Sequence, residues 1–98
     1  MPSYQTVTGN VGATPAIIDV SSYNSPYTVT IIPGSGNTSK VEYSLTETAI
    51  SNPSTANWLT WPAGSVSIPT NDIYNGKLKA LRFTRVSGSS NDTFEVRS

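Results

Sequence analysis

A chain of 98 residues with zero formal net charge, no cysteine and no histidine excludes a disulfide framework, a thiolate nucleophile, a Ser-His-Asp triad and any imidazole- or thiolate-bound metal. Only 12% of the residues are charged and 36% apolar, with Ser, Thr and Asn filling much of the remainder, so strands and turns are favoured over helices and neither a nucleic acid nor an anionic membrane is indicated as partner. The length suits one domain spanning residues 1–98, with a modest core held by packing alone. No charged leader precedes an apolar run and no stretch approaches the ~20 apolar residues of a bilayer span, so a soluble, unprocessed chain made in a cytoplasm is expected.

In chain order, "SYQTVT" (Ser3 to Thr8) reads as a first strand, "GNVGATP" as a loop and "AIIDV" (Ala16 to Val20) as a short second strand. "SSYNSP" turns the chain into "YTVTII", where Tyr27, Val29 and Ile31 alternate with Thr28, Thr30 and Ile32, and Pro33 closes the strand. "PGSGNTS" reads as a hairpin connection to "KVEYSL" (Lys40 to Leu45), with Val41, Tyr43 and Leu45 inward and Lys40, Glu42 and Ser44 outward. From Thr46 to Ala56 the alternation lapses, leaving room for one helical turn around Glu47 to Ser51 ahead of Pro53; no other helix is expected. "NWLTW" and "SVSI" read as short strands joined by "PAG". "NDIYNG" leads to the long strand "KLKALRFTRV" (Lys77 to Val86), and "SGSSND" turns into a last strand, "TFEVR", with Phe94 and Val96 on one face. Seven or eight strands spaced about ten residues apart predict a single antiparallel β-sandwich, jelly-roll or immunoglobulin-like. Greek-key crossovers leave no local signature, so strand count does not choose between the two.

The six carboxylates, Asp19, Glu42, Glu47, Asp72, Asp92 and Glu95, are scattered singly at outward strand positions or in turns, which predicts solvated groups and no enzyme. "GSGN" (Gly34 to Asn37) enters a strand where a phosphate cradle needs a helix N-terminus. Asp72 with Asn71 and Asn75, or Asp92 with Asn91, could offer oxygen to calcium but lack calcium-loop spacing, so no cofactor or metal is expected. Asn37-Thr38-Ser39 and Asn91-Asp92-Thr93 match the glycosylation pattern, which arises by chance in chains rich in Asn and Thr.

The charge is unevenly placed: residues 1–49 carry minus two and residues 50–98 plus two. Lys77, Lys79, Arg82 and Arg85 fall on one predicted strand. With Leu81 and Phe83 facing the core, Leu78, Ala80, Arg82 and Thr84 face outward, and Lys77, Lys79 and Arg85 reach past the rim from the inner side. The stripe serves either as edge protection or as a dock for an acidic partner. Trp58 and Trp61 lie three apart, so a strand sends them to opposite sides. Trp61 with Leu59 is expected in the core and Trp58 with Thr60 outside, where an indole offers area and a donor to a partner unless the 46–56 loop folds over it.

The run from Lys40 to Arg97, "KVEYSLTETAISNPSTANWLTWPAGSVSIPTNDIYNGKLKALRFTRVSGSSNDTFEVR", resembles small structural proteins of tailed bacteriophages. In these a "VEYS"-like strand, a "W…WPAG" segment, an "ALRFT" strand and a short terminal strand follow in the same order. The resemblance implies a non-enzymatic virion component, a capsid decoration or cement protein that is synthesised in the host cytoplasm and stabilises the shell by binding across major capsid protein subunits on the capsid surface. It makes Trp58, Tyr74, Arg82 and Arg85 the contact residues, with Trp61, Leu81, Phe83 and Phe94 as core. It further implies a dimer or trimer, and residues 1–11 acting as an extended arm that pairs with a neighbour's sheet. The alternative is a carbohydrate-binding or host-recognition module of a tail fibre or head spike, with Trp58, Tyr23 and Tyr74 stacking on sugar rings.

Overall fold

The computed structural model describes residues 4–9, 15–23 and 26–97. Its strands are β1 (Tyr4–Gly9), β2 (Ala16–Asp19), β3 (Tyr27–Ile32), β4 (Thr38–Ser44), β5 (Leu59–Thr60), β6 (Thr70–Tyr74), β7 (Ala80–Ser87) and β8 (Asp92–Arg97), with one 3₁₀ turn at Pro53–Thr55. They form two four-stranded antiparallel sheets, ordered β1-β8-β3-β6 and β2-β7-β4-β5. Successive strands change sheet at every connection except β4 to β5 and pair across long sequence separations. That is the jelly-roll form of the sandwich, since an immunoglobulin sandwich keeps several consecutive strands paired within one sheet.

Period-two alternation builds the core. Tyr27, Val29 and Ile31 of β3 and Phe94 and Val96 of β8 point inward from the first sheet, to meet Ile18, Val41, Leu81 and Phe83 from the second. Phe83 and Phe94 stack across the two layers, ring centroids 4.6 Å apart and 4° from parallel. Trp61 enters one flank just past β5, where its backbone N–H donates to the Val41 carbonyl at 2.8 Å and its ring meets Tyr43 edge-on at 5.8 Å. Trp61 is buried and Trp58 half-buried on the outward side, so the two indoles do lie on opposite sides.

Several expectations need correction. β3 and β4 are not a hairpin: each joins a different sheet, and the glycine-rich loop between them arches over one end of the sandwich. Alternation in the two strands is the same for either connection, so it could not distinguish them. The segment from Thr70 to Tyr74, expected as a lead-in to the long strand, is itself an edge strand, β6, while Val66 makes only an isolated bridge to Ser39. β7 starts at Ala80, so Lys77 and Lys79 precede it, and Leu78, expected outside, is buried. Ala80 does share the outward face with Arg82, between Asp19 and Ser44, yet it too is buried, as are Ser44 and Ala49 where the chain after β4 folds back. Leu45 and Leu59, expected inside, are exposed because β4 ends at Ser44 and β5 is only two residues long at the sheet's edge. A turn does form at 47–51, closed by the Asn52 N–H on the Thr48 carbonyl at 2.7 Å, and the 3₁₀ turn follows it. Of the expected N-terminal arm, residues 4–9 are paired with β8 of the chain's own sheet; the rest of it lies outside the described residues.

Candidate interaction surfaces

On the outward face of the second sheet, register places Glu42 of β4 between Arg82 of β7 and Thr60 of β5. The Arg82 Nε donates to Glu42 Oε1 at 2.9 Å, and Lys40 Nζ lies 3.8 Å from the other carboxylate oxygen. The Arg82 guanidinium carbon sits 4.3 Å from the centroid of the Trp58 ring, a cation–π stack. Trp58 Nε1 donates to the Pro53 carbonyl at 3.0 Å, so the 3₁₀ turn that follows the 46–52 segment holds the indole in place. Trp58 is therefore a fixed, half-covered ring with its donor already used. Its exposed part can still be touched.

At the open β4–β5 edge, Tyr43, Ser44, Leu45, Thr46, Asn57 and Leu59 line a groove of about 370 Å³, Asn57 and Leu59 being the chain neighbours of Trp58. None of the six is charged, and Leu45 and Leu59 are 62% and 57% exposed. Strand alternation places both leucines in the core. The only contrary signal in the sequence is the proximity of Leu45 to the lapse of alternation at Thr46, which marks where a strand stops shielding its own side chains.

Of the four predicted contact residues, the fold brings together Trp58 and Arg82 and separates the others. Tyr74, on the inward face of β6, packs in a cluster with Trp61 at 5.6 Å, Tyr43 at 5.7 Å and Tyr27 at 6.4 Å, leaving it half-buried. Arg85 lies at the far end of β7, opposite Ser39, with a guanidinium N–H donating to the Ser90 carbonyl at 3.4 Å. The remaining cations of the basic stripe are also engaged: Lys77 Nζ donates to the Tyr23 carbonyl at 3.0 Å, and Lys79 lies 3.5 Å from Asp19. Asp19 accepts from the Ser21 hydroxyl at 2.6 Å and the Ser21 N–H at 2.9 Å, and these bonds, helped by Lys79, hold its carboxyl below the ordinary value of 3.8. The stripe is thus tied down by the molecule's own acceptors. Tyr23 is buried, and burial pushes its phenol pKa up. Tyr23, Trp58 and Tyr74 therefore do not make a common platform for a sugar ring.

At the end of the sandwich where β3 passes to β4, a polar clasp is buried. Asn37 Nδ2 donates to Asp92 Oδ1 at 2.8 Å and to the Ser90 carbonyl at 2.7 Å, while Asn37 Oδ1 accepts the Ser90 N–H at 3.2 Å. The Gly34 N–H adds a second bond to Asp92 Oδ1 at 2.8 Å. Ser90 Oγ donates to the Ser35 carbonyl at 2.9 Å. Glycine is required beside these groups, because a Cβ at Gly88, where φ is +108°, would stand 2.0 Å from Asn37 Oδ1, and one at Gly34 would stand 2.2 Å from the Asn91 carbonyl. The amide of Asn37 is buried and fully used inside the fold, which gives this sequon a structural role. Asp72, the other residue weighed for calcium, accepts the N–H of Ile73 at 2.8 Å. Among the described residues no three acidic side chains gather into a metal-binding group.

The outward face of the first sheet is a row of hydroxyls, Thr6, Thr8, Thr28, Thr30 and Thr93, crossed by Glu95 and Arg97. The Tyr4 hydroxyl donates to Glu95 Oε2 at 2.7 Å, Thr6 donates to the Tyr4 hydroxyl, and the Arg97 guanidinium carbon lies 4.4 Å from the Tyr4 ring centroid. The candidate surface is therefore the apolar groove with the Trp58–Arg82 pair beside it. No protein-family model, curated protein or solved structure matches this chain, so the surface is interpreted from its own chemistry.

Proposed function

We infer that this protein is a non-enzymatic component of a tailed-phage particle, a decoration or cement protein on the capsid exterior that binds across adjacent major capsid protein subunits and stabilises the shell. The observation that carries the reading is the uncharged groove at the β4–β5 edge, where Leu45 and Leu59 stand exposed in a protein whose cations are held by its own acceptors. Covering that apolar surface with a partner is favourable. A protein that binds the assembled shell and not free subunits shifts the balance toward the shell by mass action. The resemblance of Lys40 to Arg97 to small virion proteins supplies the kind of partner, and eight-stranded jelly rolls occur among viral capsid domains. Trp58 and Arg82, rigid beside the groove, add an aromatic and a planar cation to the contact; Tyr74 and Arg85 contribute only their exposed rims. Synthesis in the host cytoplasm and association as a dimer or trimer complete the reading.

The test is co-sedimentation of the purified protein with bare capsids. Bound copies are expected to saturate at a simple fraction of the lattice sites, and the double variant L45S/L59S to lose at least about tenfold in affinity while staying folded, because two exposed leucines carry several kcal/mol of transfer free energy between them. Binding to glycans or cells with none to capsids would overturn the reading.

A further inference from the structure

The four edges of the two sheets are not alike. β5 is two residues long, and β2 is four residues ending at Asp19, which pairs with Lys79. β6 carries Asp72, whose carboxylate occupies the backbone N–H of Ile73. Shortness and charge of this kind are how proteins blunt an edge against pairing. β1, six residues from Tyr4 to Gly9, has no charged side chain and no proline, and its register with β8 is unbroken. Among the described residues no strand pairs with its other side.

We propose that the free edge of β1 pairs antiparallel with β1 of a second copy across a twofold axis, joining two four-stranded sheets into one of eight strands. The occupant is argued from charge. In a twofold pairing each residue meets itself or a near neighbour of its own strand, so any charge in β1 would oppose its own kind, and β1 has none. Outward Tyr4, Thr6 and Thr8 must meet outward residues, so registers are centred on a residue, and the two with the longest overlap within Tyr4–Gly9 set Thr6 against Thr6 with Tyr4 against Thr8, or Val7 against Val7 with Thr6 against Thr8. Both place aromatic, hydroxyl and β-branched side chains opposite one another, pairs that favour sheets. The strand is also held ready, since the Tyr4 hydroxyl is bonded to Glu95 at 2.7 Å and the Tyr4 ring lies under Arg97, so less ordering entropy opposes association. One strand pair buries far less than the ~1,600 Å² of a standard interface, so a dimer of micromolar strength or weaker is expected, which many copies on one particle would reinforce. The proposal deepens the self-association in the reading above and does not need the capsid.

Analytical ultracentrifugation over a concentration series is the test, with T6K/T8K against an N71K/I73K control that adds the same charge to the same face at the opposite edge, away from Tyr4, Glu95 and Arg97. The wild type is expected to show a monomer–dimer equilibrium that T6K/T8K weakens at least about tenfold and N71K/I73K leaves unchanged, because either register sets lysine against lysine only in the β1 variant. Hydrogen exchange of the wild-type protein gives a check free of substitutions: amides of Tyr4 to Gly9 should slow as concentration rises. A wild type that stays monomeric, a dimer that survives T6K/T8K, or exchange that slows only elsewhere overturns the proposal. Loss of capsid binding in T6K/T8K by a monomeric wild type would assign the edge to a capsid strand, overturning the second copy while leaving the capsid reading intact. A dimer that fails to bind capsids would do the reverse.

Discussion

The two polar regions of this sandwich use similar residues for opposite ends. At the β3–β4 end, Asn37 and Asp92 are buried; the Asn37 amide and Asp92 Oδ1 spend their hydrogen bonds on each other, on Gly34 and on Ser90, stitching two loops that lie more than fifty residues apart in the chain, while Asp92 Oδ2 is buried without a partner. At the β4–β5 edge, Glu42, Arg82 and Trp58 make an equally connected group that remains partly open to solvent beside an apolar groove. Burial is what separates them. A hydrogen bond closed off from water is costly to break because the orphaned partner cannot be rehydrated, whereas an exposed one is replaced by water at little cost. The first region should therefore govern stability, and the second should be changeable without unfolding the protein.

The largest effect is expected where backbone and packing coincide. Gly88→Ala puts a methyl group against the backbone and amide of Asn37 at a φ that L residues rarely adopt, and should cost about 3 kcal/mol or more in urea unfolding. Asp92→Ala follows, at about 2–4 kcal/mol, since the Gly34 N–H and one Asn37 N–H lose a buried acceptor, a loss partly offset by removing the unpartnered Oδ2. At the open edge, Trp58→Ala should cost only about 1–2 kcal/mol, the sum of one hydrogen bond and one cation–π contact, and the part due to Arg82 should shrink in high salt. A Trp58→Ala loss as large as that of Asp92→Ala would erase the contrast between the two regions.

The smallest effect belongs to acid. Because the Asp19 carboxyl is held below 3.8 by Ser21 and Lys79, its contribution is present above the unfolded-state pKa and is lost as pH falls through the lower folded-state value. Ser21→Ala should move the Asp19 pKa back up toward 3.8, read by NMR titration, and should flatten slightly the fall in unfolding midpoint between pH 5 and about 2. The group is exposed, so the change should be small beside that of any clasp variant.

Much of the strand content was legible. The alternation in "YTVTII" and "TFEVR" names the buried residues of β3 and β8, and the odd spacing of Trp58 and Trp61 sends one indole in and one out. The candidate surface was legible only in part. Trp58 and Arg82 are found together, but nothing local tells that Arg82 stacks on that indole, that Tyr74 turns into an aromatic cluster, or that Leu59 is left in solvent. Those outcomes depend on how long β5 remains paired with β4, and two residues of pairing leave Leu59 at an unshielded edge. The clasp was invisible for a related reason: Asn37 and Asp92 each look like ordinary turn residues until the loops that carry them meet.

Composition and period-two patterning by themselves determined an all-β sandwich without thiol or imidazole chemistry, because those properties depend on residue inventory and on which side of a ribbon each side chain leaves. Which strand lies beside which was decided only in three dimensions. The chain leaves β3 for the other sheet and not for a hairpin partner, and that choice rests on contacts between segments remote in sequence: the Phe83–Phe94 stack, the Asn37–Asp92 clasp and the roof over Ala80. Such contacts have free energy only once the fold has brought their members together, so no window of neighbouring residues contains them.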